Sequence, residues 1–145
     1  MVIDHLGVVV KSLSEAINKW AEIFGYHQLT EIVTNTRQRV RVVFMQQQNS
    51  VTIKLVEPVG TDSPVYKFAM RGGGLHHLCF RCEDVVSEVA RLESLGLREL
   101  ACPQPGEAFD NHSIAFVYAP NMGLNLELID TGIKAAKLDK PQNYK

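Results

Sequence analysis

The sequence predicts an α+β fold of two tandem βαβββ modules that form a curved mixed sheet around a central cleft. Its 145 residues, 46% hydrophobic and 21% charged, are typical of one globular domain. Apolar residues follow strand-like and helix-like spacings in the order β-α-β-β-β. The same order then returns about 72 residues later, which indicates an internal duplication.

The first module begins with a β-branched run at Val2–Val10, which predicts a buried strand. Ser12 is placed to cap a helix, with Glu15 three residues later as a capping box, and Gly25 is placed to end it. Alternating apolar residues then predict three more strands, near residues 28–34, 38–45 and 51–57.

The second module repeats the first in order. The strand segment His77-Leu78-Cys79-Phe80 matches His5-Leu6-Gly7-Val8, and Leu126-Glu127-Leu128 matches Ile53-Lys54-Leu55. We therefore divide the chain into a first module (1–57), a connector (58–74), a second module (75–130) and a tail (131–145). The tail is rich in lysine and poor in apolar residues, so we expect it to be flexible.

Strand alternation predicts that four side chains point away from the helices. These are His5 and Lys54 from the first module and His77 and Glu127 from the second. Two imidazoles and a carboxylate that meet in a cleft predict a divalent metal site with open positions. The alternative is that the histidines are structural and the carboxylate is a solvated charge.

Three further residues are candidate substrate contacts. Arg41 alternates with Arg37 and Arg39 along one strand, which suits either an anion site or a solvated outer edge. Arg81 shares a strand face with His77, and Cys79 is expected to line the cavity. We expect the neighbouring His76 to point to the opposite face and exclude it as a ligand.

Composition excludes several classes of function. A formal net charge of −1 argues against a nucleic-acid or anionic-membrane surface. The sequence contains no apolar run of membrane-spanning length and no secretion signal. Three cysteines cannot all pair within one chain, so we expect a reducing, cytoplasmic setting.

Three segments carry a resemblance to a known family: Asp4-His5-Leu6-Gly7-Val8-Val9-Val10, Gly74-Leu75-His76-His77-Leu78-Cys79-Phe80 and Gly123-Leu124-Asn125-Leu126-Glu127-Leu128. They resemble the vicinal oxygen chelate (glyoxalase/bleomycin resistance) superfamily, and the connector is most similar to the methylmalonyl-CoA epimerase branch. The resemblance implies a metal held by two histidines, a Gln or Glu, and a C-terminal Glu. By position His5, His77 and Glu127 match, whereas the fourth ligand position falls on Lys54. The epimerase base carboxylate has no counterpart in residues 36–39.

Two functional hypotheses follow. The first is a metal-dependent isomerase, epimerase or lyase acting on a small carbonyl or acyl-CoA substrate. His5, His77 and Glu127 would hold a cobalt, manganese, zinc, nickel or iron ion, and Lys54 and Glu127 are the candidate catalytic groups. The second is a metal-free protein that binds or sequesters a small molecule in the same cleft. The resemblance also implies a homodimer.

Overall fold

Each half of the chain folds as one helix flanked by strands. The computed structural model describes residues 1–139, and its first half contains β1 (Val2–Val9), α1 (Leu13–Phe24), β2 (His27–Gln28), β3 (Val33–Asn35), β4 (Val40–Gln46) and β5 (Thr52–Pro58). The short helix α2 (Tyr66–Met70) lies in the connector. The second half contains β6 (Gly74–Arg81), α3 (Val85–Ser94), β7 (Arg98–Gly106), a 3-10 turn (Glu107–Phe109), β8 (His112–Ala119) and β9 (Leu124–Ile129).

Local sequence signals set the bounds of both long helices. The hydroxyl of Ser12 accepts a hydrogen bond from the Glu15 backbone N–H, and Gly25 ends α1 in the left-handed conformation with φ 72°. Asp84 caps α3 in the same way, accepting from the Ser87 N–H at 2.7 Å. Both ends predicted for α1 are therefore confirmed.

The strands of both halves join into one curved sheet, with strand order β2-β4-β5-β1-β6-β9-β8-β7 and β3 also on β4. β1 runs parallel to β5, and β6 runs parallel to β9. The two halves meet where β1 and β6 pair antiparallel. Equivalent strands thus lie on both sides of the join, which confirms the predicted fold class. The two βαβββ modules of one chain pair with each other through β1 and β6.

The two faces of the sheet have different roles. On the outer face α1 covers one half, with Leu13 against Val43, and α3 covers the other, with Val89 against Leu128. The inner face encloses a third apolar cluster that includes Phe44 and the side chain of Phe109. Between these layers lies the cleft.

Two parts of the structure differ from the sequence expectation. The strand expected near 28–34 is divided into β2 and β3, because the Thr30 hydroxyl accepts the Phe44 N–H at 3.1 Å in place of a backbone carbonyl. Residues 131–139, within the tail expected to be flexible, pack on the sheet: Ala135 donates to the Ala108 carbonyl and Leu138 to the Leu29 carbonyl, both at 2.9 Å. Residues 140–145 of that tail lie outside the described residues.

None of the helices in the part of the chain that the structure describes has the length and apolar character needed to cross a membrane.

Candidate functional site

The four side chains predicted to converge do so at the centre of the cleft. His5 and Glu127 are fully buried, and Lys54 and His77 are 3% and 6% exposed. Lys54 Nζ lies 3.0 Å from Glu127 Oε2 and 3.3 Å from Oε1. The Oε1 atom also lies 3.0 Å from His5 Nε2 and 3.9 Å from His77 Nε2. Glu127 is thus the acid shared by three basic side chains from three other strands.

Gly7 makes room for this cluster. It pairs with Lys54 on one side and His77 on the other, at the join between the halves. A Cβ atom at this position would lie 2.0 Å from His77 Cε1 and 2.3 Å from its Nε2. No side chain could be accommodated without displacing the imidazole, so the glycine in the first strand fixes where His77 sits.

A chain of polar contacts continues from Glu127 to the tail. The Nδ1 of His5 donates to Asp4 Oδ2 at 2.7 Å, and Asp4 in turn accepts from Lys134 Nζ at 2.8 Å. The Lys134 ammonium also lies 5.1 Å from the Phe44 ring centroid. Burial by itself would raise the pKa of Asp4, but the bonds from His5 and Lys134 outweigh it and lower that pKa. The tail therefore closes one side of the cleft with a buried cation.

The charge states at the centre follow from burial and from Lys54. Burial alone would raise the pKa of Glu127, yet the positive charge of Lys54 and the contact with His5 hold it well below its usual value. Burial lowers the pKa of His77 well below its usual value, and the nearby Glu127 charge does not compensate. At neutral pH the site therefore contains an ionised Glu127 carboxylate and a neutral His77 ring.

A cavity of about 280 Å³ opens beside Lys54. Most of its wall is apolar, as in many small-molecule sites. Its polar lining residues are Asn35, Gln38, Lys54, His76, His77 and Asn125. None of the described residues that line it carries a carboxylate.

His76 is a member of this wall that the sequence analysis missed. The pairing of β1 with β6 shifts register here, since Gly7 opposes His77 and Val8 opposes Leu75, which leaves His76 as an extra residue. Such a bulge breaks the alternation of side chains. The expectation that His76 points to the opposite face is wrong: its Nδ1 lies 2.9 Å from Nδ1 of His77, in a hydrogen bond between the rings.

The predicted substrate contacts lie elsewhere. Arg41 is on the helix side of β4, where its guanidinium donates to Glu57 at 3.1 Å, so the structure does not bring it to the cavity. Arg81 lies near the tail, with Nε 3.3 Å from Asp4, and also stays outside the cavity wall. Cys79 is fully buried behind the charged cluster, and burial raises the pKa of its thiol well above the usual value.

Three of the four central side chains can offer a ligand atom to a divalent ion, whereas the fourth, Lys54, cannot. One nitrogen or oxygen each from His5, His77 and Glu127 can be chosen so that all lie within 4.8 Å of one another. His77 Nε2 has no hydrogen-bond partner among residues 1–139, and His5 Nε2 faces Glu127 Oε1 at 3.0 Å. However, Lys54 offers no lone pair and brings a positive charge to the same carboxylate. With Lys54 in this position the complete set does not fit a divalent ion.

Comparisons with known proteins agree with the fold. A protein of Bacillus subtilis (strain 168), named uncharacterized protein YqjC, is 32% identical over 116 residues, which are 79% of this chain and 81% of that protein. The mitochondrial methylmalonyl-CoA epimerase of Mus musculus is 30% identical over 101 residues, or 68% of this chain. The matched region spans only 56% of the mouse protein.

Solved structures give the same result. The methylmalonyl-CoA epimerase from Mycobacterium tuberculosis superposes with a TM-score of 0.77 at 29% identity, over 88% of this chain and 86% of that one. A methylmalonyl-CoA epimerase in complex with methylmalonyl-CoA and NH4+ also has a TM-score of 0.77, at 26% identity, over 93% and 96% of the two chains. The family model described as glyoxalase/bleomycin resistance protein/dioxygenase superfamily matches residues 4–116. With its duplicated βαβββ fold, the chain is a member of that superfamily.

Proposed function

We propose that this protein is an enzyme of the isomerase or epimerase type, which moves a proton at the carbon next to a carbonyl or thioester group of a small acyl-CoA substrate. The relatives of known activity act on methylmalonyl-CoA and ethylmalonyl-CoA. The cleft offers this chemistry two groups side by side, an ammonium to polarise an oxygen and imidazoles to accept a proton.

The observation that carries the proposal is the buried Lys54–Glu127 pair, whose lysine lines the cavity. A buried ion pair recovers little more than its desolvation cost, so it is a poor device for stability. Placed where a ligand would contact it, such a pair is typical of functional sites. One methylmalonyl-CoA epimerase has been solved with substrate and an ammonium ion together, and Lys54 carries a tethered ammonium group.

His76 is our candidate proton acceptor. Its ring lines the cavity and is hydrogen-bonded through Nδ1 to His77, which leaves Nε2 for a substrate. In the proposed step the carbon–hydrogen bond breaks, its proton passes to His76, and the electron pair moves onto the carbonyl oxygen beside Lys54. Return of a proton to the same carbon restores the thioester, and return on the opposite face inverts the centre.

Deuterium exchange tests this proposal. Methylmalonyl-CoA, ethylmalonyl-CoA and propionyl-CoA are each incubated with the protein in D2O, and the mass of the recovered ester is measured. We expect a gain of about one mass unit in at least one ester with the wild-type protein, and strongly reduced exchange with Lys54→Met and His76→Phe. If no ester exchanges or binds, the proposal is wrong.

A second candidate is a binding protein that sequesters a small ligand in the same cavity. It is favoured by the absence of any carboxylate among the described residues of the wall, where a stronger proton acceptor would be expected. In the exchange experiment it predicts saturable binding of an acyl-CoA without deuterium uptake.

The cofactor, the assembly and the location stay as predictions. His5, His77 and Glu127 are the residues predicted to hold a divalent ion, and the position of Lys54 on Glu127 opposes it. The homodimer is expected from the resemblance, and the cytoplasmic location is expected from the three cysteines, which cannot all pair within one chain. Light scattering of the purified protein measures the assembly, and a mass of about 16 kDa would contradict the dimer.

A further inference from the structure

The centre of the cleft already contains a cation that belongs to the chain. Lys54 Nζ spans both oxygens of Glu127, at 3.0 and 3.3 Å, with the lysine side chain 3% exposed. We infer that the Lys54 ammonium takes the place of the divalent ion that the resemblance implies, so that the site works without metal and binds its substrate through a single oxygen. This inference rests on the proposed function, whose site it specifies.

Lys54 and a metal ion would compete for the same ligand. Glu127 is the one carboxylate of the set formed with His5 and His77, and metal–oxygen bonds of about 2.0–2.2 Å require direct access to it. The Lys54 ammonium already lies 3.0 and 3.3 Å from its two oxygens. Because Lys54 is only 3% exposed, a divalent ion at Glu127 would lie beside a largely desolvated positive charge.

The buried charges are balanced without a metal. Glu127 is paired with Lys54, and Asp4 is paired with Lys134 at 2.8 Å. A divalent ion would add two uncompensated positive charges to a site surrounded by apolar side chains such as Phe44 and Phe109.

An ammonium also selects a different substrate geometry from a metal. A metal with two open positions can chelate two neighbouring oxygens of one substrate. A lysine ammonium is one compact charge, and the side of it that faces the Glu127 oxygens is not available to a ligand in the cavity that Lys54 lines. The preferred substrate class is therefore one whose reaction develops charge on a single oxygen, such as a thioester.

Two imidazole nitrogens indicate how the site could be converted into a metal site. His5 Nε2 and His77 Nε2 lie 3.0 and 3.9 Å from Glu127 Oε1, so two candidate ligand atoms already face the same carboxylate. Replacing Lys54 by glutamine removes the charge and supplies an amide oxygen of similar reach. The variant Lys54→Gln should then bind a metal that the wild-type protein rejects.

Cobalt(II) alone is a suitable probe. Untagged wild-type protein, Lys54→Gln and Lys54→Arg are dialysed against cobalt chloride at pH 7, and bound metal is measured by mass spectrometry and by visible absorption. We expect about one ion per chain for Lys54→Gln, with affinity at least about 100-fold above wild type, which exceeds the usual effect of an outer-shell change. Wild type and Lys54→Arg should retain essentially none, and adding Glu127→Gln to Lys54→Gln should abolish binding.

Two outcomes would overturn the inference. Stoichiometric cobalt on the wild-type protein, lost in Glu127→Gln, would show that Lys54 does not exclude a metal. A folded Lys54→Gln protein that stays metal-free would show that Lys54 is not what prevents the site from binding a metal. If Lys54→Gln does not fold, cobalt binding by the wild-type protein and by Lys54→Arg still tests the inference, because both are expected to retain essentially none. The assay contains no substrate, so failure of acyl-CoA exchange counts against the proposed function alone.

Discussion

Replacing Lys54 by methionine removes the charge at the cleft centre while nearly preserving the length of the side chain. Glu127, fully buried, then keeps the imidazoles of His5 and His77 and the Cys79 thiol as neighbours, and no cationic lysine. Removal of one partner from a buried ion pair costs about 3–5 kcal/mol of unfolding free energy. For a domain of this size, that corresponds to a fall in melting temperature of roughly 6–20 °C.

The loss should depend on pH with a defined sign. In the wild-type protein the pKa of Glu127 lies well below its usual value, so its ionised form stabilises the fold above about pH 4.3 and that stability is lost on acidification. Without Lys54, burial dominates and raises the pKa of Glu127, so ionisation opposes folding as the pH rises. The difference between the two proteins should therefore be larger at pH 7.5 than at pH 5.

Urea unfolding followed by circular dichroism measures this difference. Lys19→Met is the matched control, because Lys19 is 65% exposed and its pair with Glu22 is worth no more than about 0.5 kcal/mol. Adding Glu127→Gln to Lys54→Met should recover part of the loss, since the unpaired charge is then gone. A Lys54→Met protein within about 1 kcal/mol of wild type at pH 7.5 would refute the argument.

Two further predictions concern the groups around this pair. Because the pKa of His77 is lowered in the fold, the unfolded chain binds more protons below about pH 6.5, and stability should fall on acidification by at most about 1.4 kcal/mol per pH unit. Melting temperatures measured from pH 7.5 to 5.5 should show a weaker slope for His77→Gln than for the wild-type protein, and equal slopes would contradict this prediction. Lys134→Ala should lower the unfolding free energy by about 1–3 kcal/mol, because it removes a buried salt bridge to Asp4. Urea unfolding measures this change, with the exposed Lys11→Ala as the control. Equal stability of the two variants would contradict the prediction.

The fold and the central cluster could be predicted because both depend on periodicity. Side chains alternate along a strand, so residues beside Ile53 and Leu55, which pack on α1, had to face the other way. That reasoning placed Lys54 in the cleft. The internal repeat then assigned Glu127 to the equivalent position in the other half, and the structure brings the two side chains together.

The rest of the site depends on features that break periodicity. His76 enters the cavity because one residue is inserted into the pairing of β6 with β1, and a bulge is set by the register of two distant strands. Lys134 reaches Asp4 because the tail crosses the sheet, which a lysine-rich segment does not reveal. Arg41 shares its strand face with residues packed on α1, and the pairing with Glu57 settled its direction.

The arrangement of charges also follows from the duplication. In a duplicated fold, equivalent positions lie on equivalent strands and on the same face of the sheet. Here the two equivalent positions carry Lys54 in one half and Glu127 in the other. The ion pair therefore crosses the join between the halves, next to the antiparallel pairing of β1 with β6. A metal held by ligands from both halves would cross-link the halves through coordination bonds, whereas Lys54 does so with hydrogen bonds that are part of the chain. Because this link needs no ion from solution, chelators should leave both the fold and the shape of the cavity unchanged.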